Sequence, residues 1–247
     1  MQKYIAVVNP RMDDDEISSL IAKDIAGALF EISHQNYPLA AKIIRQIKEQ
    51  SALHNRPISI IQDVSNMEDP LDLQFGLRSG VDWVATDRPE HVRLSKGFNK
   101  LPGVIFKGRD LPKRLRVDSV MADGFLDPDA EVIGMQNGQI KHLISEHPDQ
   151  RVLDALADIL SYAATSAIAV SDLDLAKALS FRRASKKIFF APKDKSAAAR
   201  GGIYWGVYPI YMGNDLISSL KNTRFVKKGE RMVDATNIKH VAIHSIP

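Results

Sequence analysis

The sequence predicts an α/β protein in which parallel strands alternate with helices. Short apolar runs, bounded by Pro, Gly, Asn or Asp, alternate along the chain with longer segments whose apolar residues recur at helical spacing. This alternation is typical of β/α units, whose strands form a parallel sheet. With 45% hydrophobic and 26% charged residues, the composition is that of a folded globular chain and not of a disordered one.

The first third of the chain contains four predicted strands with helices between them. The acidic residues at 13–16 favour a helix N-terminus, because carboxylates stabilise the positive end of the helix dipole. Pro38 suits the first turn of the next helix, and Ile43, Ile44 and Ile47 share one face of that helix. The predicted strands are residues 3–8, 28–33, 57–62 and 81–85, and the predicted helices are residues 13–25, 38–54 and 70–79.

The middle of the chain, residues 88–145, is less regular. Two short apolar runs, at 103–106 and 117–121, predict buried strands. Residues 131–145 form two alternating arms around Asn137-Gly138, which is a strong hairpin signal. A hairpin here interrupts the alternation of strands and helices.

Regularity returns after Pro148, so we predict a domain boundary near His147. An apolar stripe of helical period runs from Val152 to Ala163. The further predicted strands are 167–170, 188–191, 207–211 and 240–244, and the helices are 173–181, 195–200 and 215–221. The 247 residues suit one or two domains at about 150 residues each, and we expect residues 1–147 and 148–247 to form two.

The amino-acid composition excludes several kinds of reactive group and says less about where the protein is located in the cell. The chain has no cysteine, which excludes disulfides, thiolate nucleophiles and thiolate metal sites. No apolar run approaches the roughly 18 residues that a membrane span needs, and the N-terminal apolar stretch is short for a signal peptide. We therefore expect a cytoplasmic protein without a membrane partner.

Basic residues are concentrated in two clusters although the net charge is only +3. Seven of them lie between Lys96 and Arg116, with Asp110 as the single acid there, and a second cluster includes Arg182 and Arg183. Solvated helix ends and loops explain both clusters, as do sites for phosphate or another anion. RNA binding is a lesser alternative, because the clusters lack the interleaved aromatic residues on which bases stack.

Several segments, taken in chain order, resemble the pyruvate kinase family. They are FEISHQNYPLAAKIIRQI at 30–47, RPISIIQDV at 56–64, DPLDLQFGLRSGVDWVAT at 69–86, and the chain from residue 166 to 212. The resemblance implies a partial or open (βα) barrel in residues 1–147, without the family's inserted β-domain. It implies an α/β domain of three layers, like the family's C-terminal domain, in residues 148–247.

The resemblance also implies a site that has lost part of its catalytic set. Ser33 and Asp63 match potassium ligands, and Lys107 matches the catalytic lysine. Asp118 or Asp123 would supply a metal carboxylate, whereas Arg109 stands where the family has the metal-binding glutamate. The family's strand-two arginine and asparagine are replaced by Leu29 and Glu31. Helix capping is the structural alternative for Ser33 and Asp63, and a solvated charge is the alternative for Lys107.

A cation in place of a metal carboxylate repels Mg²⁺. The family also has a second arginine shortly after the position of Asp63, which is missing here, and the loss of both arginines removes stabilisation of the transition state. We therefore expect a pyruvate-kinase-like protein that is non-catalytic or altered and serves binding, regulation or assembly. Arg109, Arg182 and Arg183 are candidate anion-binding residues, for a phosphorylated small molecule. Self-association through the C-terminal domain is expected. The alternative is an active phosphotransferase that uses Mg²⁺ and K⁺ to convert phosphoenolpyruvate and ADP to pyruvate and ATP.

Overall fold

The structure is a computed structural model. It describes residues 4–23, 25–96, 104–107, 124–126, 131–132, 135–137, 141–142, 159, 164–181, 186–204, 206–221, 223 and 225–247. The chain divides into two compact units, one of residues 2–51 with 58–145 and the other of residues 52–57 with 146–247, together with Met1. The predicted boundary at His147, the predicted strand at 117–121 and nearly all of the predicted helix from Val152 to Ala163 lie outside the described residues.

Strands and helices alternate in the larger unit, as the apolar pattern predicts. The predicted helix Pro70–Ser79 is confirmed, with Asp69 as its N-cap and Gly80 in the left-handed conformation at its C-terminus. The strands are β1 (Tyr4–Val7), β2 (Ile25–Glu31), β3 (Ser59–Asp63), β4 (Trp83–Thr86), β5 (Val104–Lys107) and β6 (Gly124–Leu126), and the helices are α1 (Asp14–Ala22), α2 (Tyr37–Leu53), α3 (Pro70–Ser79) and α4 (Pro89–Lys96).

The six strands pair in chain order, each parallel to the next. Right-handed crossovers between neighbouring parallel strands place successive helices on the same face of a sheet. The packing agrees, because the β1–β3 residues Ala6, Phe30 and Ile60 share one core cluster with Ile17 of α1 and Ile43 of α2. We call this helix-covered side the outer face.

The opposite, inner face of the sheet is buried as well. Side chains alternate between faces along a strand, so the neighbours of the outer residues point inward. These inward residues include Ile5, Leu29, Ile61, Trp83 and Ile105, and each is at most 3% exposed. An open sheet with helices on one side would leave this face in water.

Three further strands pair antiparallel in the larger unit: β7 (Glu131–Val132), β8 (Met135–Asn137) and β9 (Lys141–His142). The predicted hairpin turn at Asn137-Gly138 is wrong. Strand β8 pairs with β7 and with β1, and β9 pairs with β6. The antiparallel pair that forms places Val132 opposite Met135, N-terminal to the predicted turn.

The smaller unit contains a five-stranded sheet. The strands are β10 (Ala167–Val170), β11 (Lys187–Phe190), β12 (Val207–Pro209), β13 (Arg231–Ala235) and β14 (Ala242–Ser245), and the helices are α5 (Leu173–Phe181), α6 (Lys195–Gly201) and α7 (Leu216–Lys221). The strand order is β12-β11-β10-β13-β14, with only β14 antiparallel to its neighbour. Strand β13 and helix α4 have no counterpart in the sequence prediction. None of the helices in the described residues is long and apolar enough to cross a membrane.

A candidate site at the carboxyl edge of the larger sheet

Three of the parallel strands end in a charged residue that points to the inner face. Glu31 is the last residue of β2, Asp63 of β3 and Lys107 of β5. The carboxyl ends of parallel strands meet at one edge of a sheet, which is where α/β proteins bind their ligands. Two of these residues, Asp63 and Lys107, are candidates from the sequence.

Asp63 and Lys107 form an ion pair at this edge. The Lys107 Nζ lies 2.6 Å from Asp63 Oδ2, and the two side chains are 21% and 11% exposed. Strand β4 separates the two strands, and its residue in register with both Asp63 and Ile105 is Ala85. Because Ala85 has only a methyl group, the lysine side chain can pass over β4 to reach the carboxylate.

The second oxygen of Asp63 also has donors. Ser65 donates both its N–H, at 3.0 Å, and its hydroxyl, at 2.7 Å, to Asp63 Oδ1. The Ser65 hydroxyl oxygen in turn accepts the N–H of Asp87, beyond the end of β4, at 3.3 Å. Ser65 is only 4% exposed, so this contact holds Asp63 in one orientation.

Glu31 belongs to a separate set of hydrogen bonds at the same edge. Its Oε1 accepts a hydrogen bond from Asn66 Nδ2 at 2.9 Å, and its carbonyl accepts one from Asn36 Nδ2 at 3.2 Å. Asn36 Oδ1 accepts the N–H of Ser33 at 2.9 Å. The structure therefore shows Ser33 in a turn after β2. The assignment of Ser33 and Asp63 as potassium ligands stays a prediction.

The start of α2 is anchored next to this turn. The Tyr37 hydroxyl donates to Asp72 Oδ1 at 2.7 Å, and the Tyr37 ring stacks on Phe75 with centroids 4.0 Å apart. Burial raises the pKa of Tyr37 to about 12, with further contributions from the hydrogen bond to Asp72 and from the charges of Asp72 and Asp69. The phenol therefore remains a neutral donor at physiological pH.

The ammonium of Lys107 is the group at this edge that can contact an anion. Within the described part of the chain, no group of three or more His, Asp or Glu side chains is placed to hold a metal ion. A lysine ammonium has three N–H donors. One of them faces Asp63, which leaves others for a ligand at a half-buried position. The predicted residues Arg109, Asp118, Asp123, Arg182 and Arg183 lie outside the described residues.

The smaller unit has its own polar contacts at the carboxyl ends of β10 and β13. Asp172 Oδ1 accepts the N–H of Leu175 at 2.8 Å and so caps α5. Asp234 Oδ1 accepts the Thr236 hydroxyl at 2.6 Å, and its Oδ2 lies 3.4 Å from His244 Nε2. These contacts complete helix and strand ends, so Asp172 and Asp234 have structural roles there.

Sequence reasoning missed Ser65, Asn66 and Asp87 as members of the edge. Each of them follows the end of a strand within three residues. That position in the sequence could have identified them as residues of the carboxyl edge. What the sequence did not show is that Ser65 and Asp87 meet across two loops. Only the pairing of β3 with β4 brings them together.

Comparison with known proteins does not assign this chain to a family. No protein-family model matches the chain, and no curated protein matches it significantly. The resemblance to pyruvate kinase thus stays a prediction, and the function has to be argued from the contacts at this edge.

Proposed function

We propose that this chain is a pyruvate-kinase-like binding protein that holds a small phosphorylated or carboxylated molecule at Lys107 and does not catalyse efficient metal-dependent phosphoryl transfer. One observation supports this most directly. The Lys107 ammonium lies 2.6 Å from Asp63, half-buried at the carboxyl edge of the larger sheet.

The ion pair opposes metal binding at Asp63. A divalent cation needs carboxylate oxygens that are free to coordinate it. Here Oδ2 of Asp63 faces an ammonium and Oδ1 faces two donors of Ser65. A metal at Asp63 would have to displace a like charge, which is unfavourable at short distance.

The same pair favours an anion. A carboxylate that fixes one donor of Lys107 pre-orients the rest, which reduces the entropy lost on binding. A charge-assisted hydrogen bond from such a group contributes about 1.5–3 kcal/mol. Arg109 follows Lys107 by two residues in the chain, so a second cation is close by covalent connection alone.

We also infer that the larger sheet is barrel-like and that the site lies at its mouth. Both faces of the parallel strands are buried, although α1 and α2 pack on the same face. A sheet rolled around its own inner side chains accounts for this burial. The inward-facing Val7, at the carboxyl end of β1, is 50% exposed and gives the mouth an apolar wall.

Self-association is part of the proposal. Among the strands that the structure describes, β14 has β13 as its single neighbour, and Ile243 on β14 is 40% exposed. Pairing of β14 with the same strand of a second copy would cover the edge strands of both copies. Mass photometry tests this, and Ile243→Lys should shift the distribution toward monomer, whereas a wild-type monomer at micromolar concentration would contradict it.

Calorimetric titration with phosphoenolpyruvate, in the presence and absence of Mg²⁺, tests the binding function. We expect saturable binding that does not need Mg²⁺, and a loss of about 10- to 100-fold in Lys107→Met. Lys42→Met, an exposed lysine of α2, is the matched control and should bind as the wild type does. Equal affinity in Lys107→Met would contradict the assignment of the site.

A coupled pyruvate assay with ADP, Mg²⁺ and K⁺ addresses the alternative of an active phosphotransferase. We expect no turnover above the background of Lys107→Met. Rapid pyruvate release by the wild type that Lys107→Met abolishes would establish the enzyme instead.

A further inference from the structure

We propose that the strands β6, β7, β8 and β9 belong to a single hairpin that closes the larger sheet into a ring of seven strands. The inference deepens the barrel-like arrangement given under the proposed function. The hairpin completes the barrel and acts as a clasp between β1 and β6, the first and last parallel strands.

The register of the short strands indicates one continuous hairpin. Strand β6 pairs with β9 through Phe125 and Lys141, and β7 pairs with β8 through Val132 and Met135. Val132 follows Phe125 by seven residues, and Lys141 follows Met135 by six residues. The two ladders therefore share one register apart from an offset of one residue, as a hairpin with a β-bulge has.

The second arm of this hairpin also pairs on its other side. Strand β8 is antiparallel to β1, with Tyr4 opposite Asn137 and Ala6 opposite Met135. The arm made of β8 and β9 thus lies between β1 and β6, the two outermost of the six parallel strands. Pairing to both outer strands turns the row into a ring.

Chain length alone requires the two edges to be close. Four Cα steps separate Asn137 from Lys141 and span at most about 15 Å. The outer strands of an open six-stranded sheet lie roughly 24 Å apart at the usual strand spacing. A flat sheet cannot satisfy both pairings, whereas a closed one can.

The buried inner face supports closure independently. Ile5 on β1 and Ile105 on β5 are both fully buried on the side opposite α1 and α2. The seventh strand also covers the open N–H and C=O groups of β1 and β6, which would otherwise be edges prone to aggregation. A short chain thereby obtains a closed barrel without two more β/α units.

Disulfide trapping tests the clasp, and the absence of native cysteine makes it simple. Tyr4→Cys with Asn137→Cys probes the β1 side, and Phe125→Cys with Lys141→Cys probes the β6 side. Both pairs are directly opposite in the register, at a Cα distance that suits a disulfide. We expect near-complete intrachain disulfides in both variants, read by peptide mass spectrometry.

Pairs shifted by one residue are the matched controls, because a shift of one moves a side chain to the other face. Tyr4→Cys with Gln136→Cys, and Phe125→Cys with His142→Cys, should therefore stay reduced. The clasp is refuted if only one side cross-links, if shifted pairs cross-link equally, or if the disulfides join two chains. Loss of phosphoenolpyruvate binding would refute the proposed function alone, since the trapping uses no ligand.

Discussion

The Lys107–Asp63 pair determines what this edge of the sheet can do. It neutralises a carboxylate that is only 11% exposed, and it places an ammonium where a ligand can reach it. Removing one partner leaves the other without its counter-charge in a poorly solvated position. This cost exceeds the small net contribution of the intact pair.

The first prediction concerns the stability of this pair. We expect Lys107→Met and Asp63→Asn to lower the free energy of unfolding by about 1–3 kcal/mol each, below the range for fully buried pairs because both side chains are partly exposed. Urea unfolding measures this. The double variant should lose less than the sum of the two, and strict additivity would show that the groups do not interact.

Tyr37 supplies a second prediction at the scale of one residue. Its pKa is raised to about 12, mainly by burial, so its phenol is neutral in the folded protein above pH 10, where an unfolded chain ionises. The contribution of neutral Tyr37 to the stability of the folded protein is complete below pH 10 and is lost as the pH rises towards 12. Absorbance titration of the wild type against Tyr37→Phe should show one tyrosine that ionises late; a difference centred near pH 10 would contradict this.

Caps at the helix ends decide several element boundaries. Asp13 and Glu16 form a reciprocal capping box at α1, and Asp215 accepts the N–H of Ser218 at 2.7 Å at the start of α7. Side-chain and backbone hydrogen bonds from Ser218 lower the pKa of Asp215. Such local contacts are why helix starts are well predicted from sequence.

The third prediction is the acid response of α7. Because the pKa of Asp215 is lowered, its contribution is present above the unfolded value of 3.8 and is lost as the pH falls through the folded value. Asp215→Asn should keep the cap at neutral pH, and its stability should fall less between pH 7 and pH 3 than that of the wild type. Asp215→Ala should be less stable than the wild type at both pH values. Thermal unfolding at pH 7 and pH 3 measures this, and parallel curves for the wild type and Asp215→Asn would refute it.

At the scale of the whole molecule, the inner face of the larger sheet is the unusual feature. Trp83 lies there and is fully buried, although α1 and α2 pack on the outer face. The remaining tryptophan, Trp205, can be replaced to isolate the emission of Trp83.

The fourth prediction follows from closure of that face. In Trp205→Phe, we expect blue-shifted emission from Trp83 that acrylamide quenches poorly. Adding Gln136→Pro removes a backbone donor from β8, opposite Ile5, and should shift the emission to the red. Gln136→Thr keeps the donor and serves as the control. Unchanged quenching in the proline variant would show that β8 does not close the sheet.

Apolar periodicity and helix caps are local, so they were enough to predict the α/β class, the helix Pro70–Ser79 and, to within one residue, the ends of the strands at Asp63 and Lys107. The sequence did not place the hairpin turn, since Asn137-Gly138 is a good turn locally but β1 offers β8 a second partner. Contacts between distant strands decided the rest. Only tertiary pairing brings Lys107 across Ala85 to Asp63, and Asp87 to Ser65.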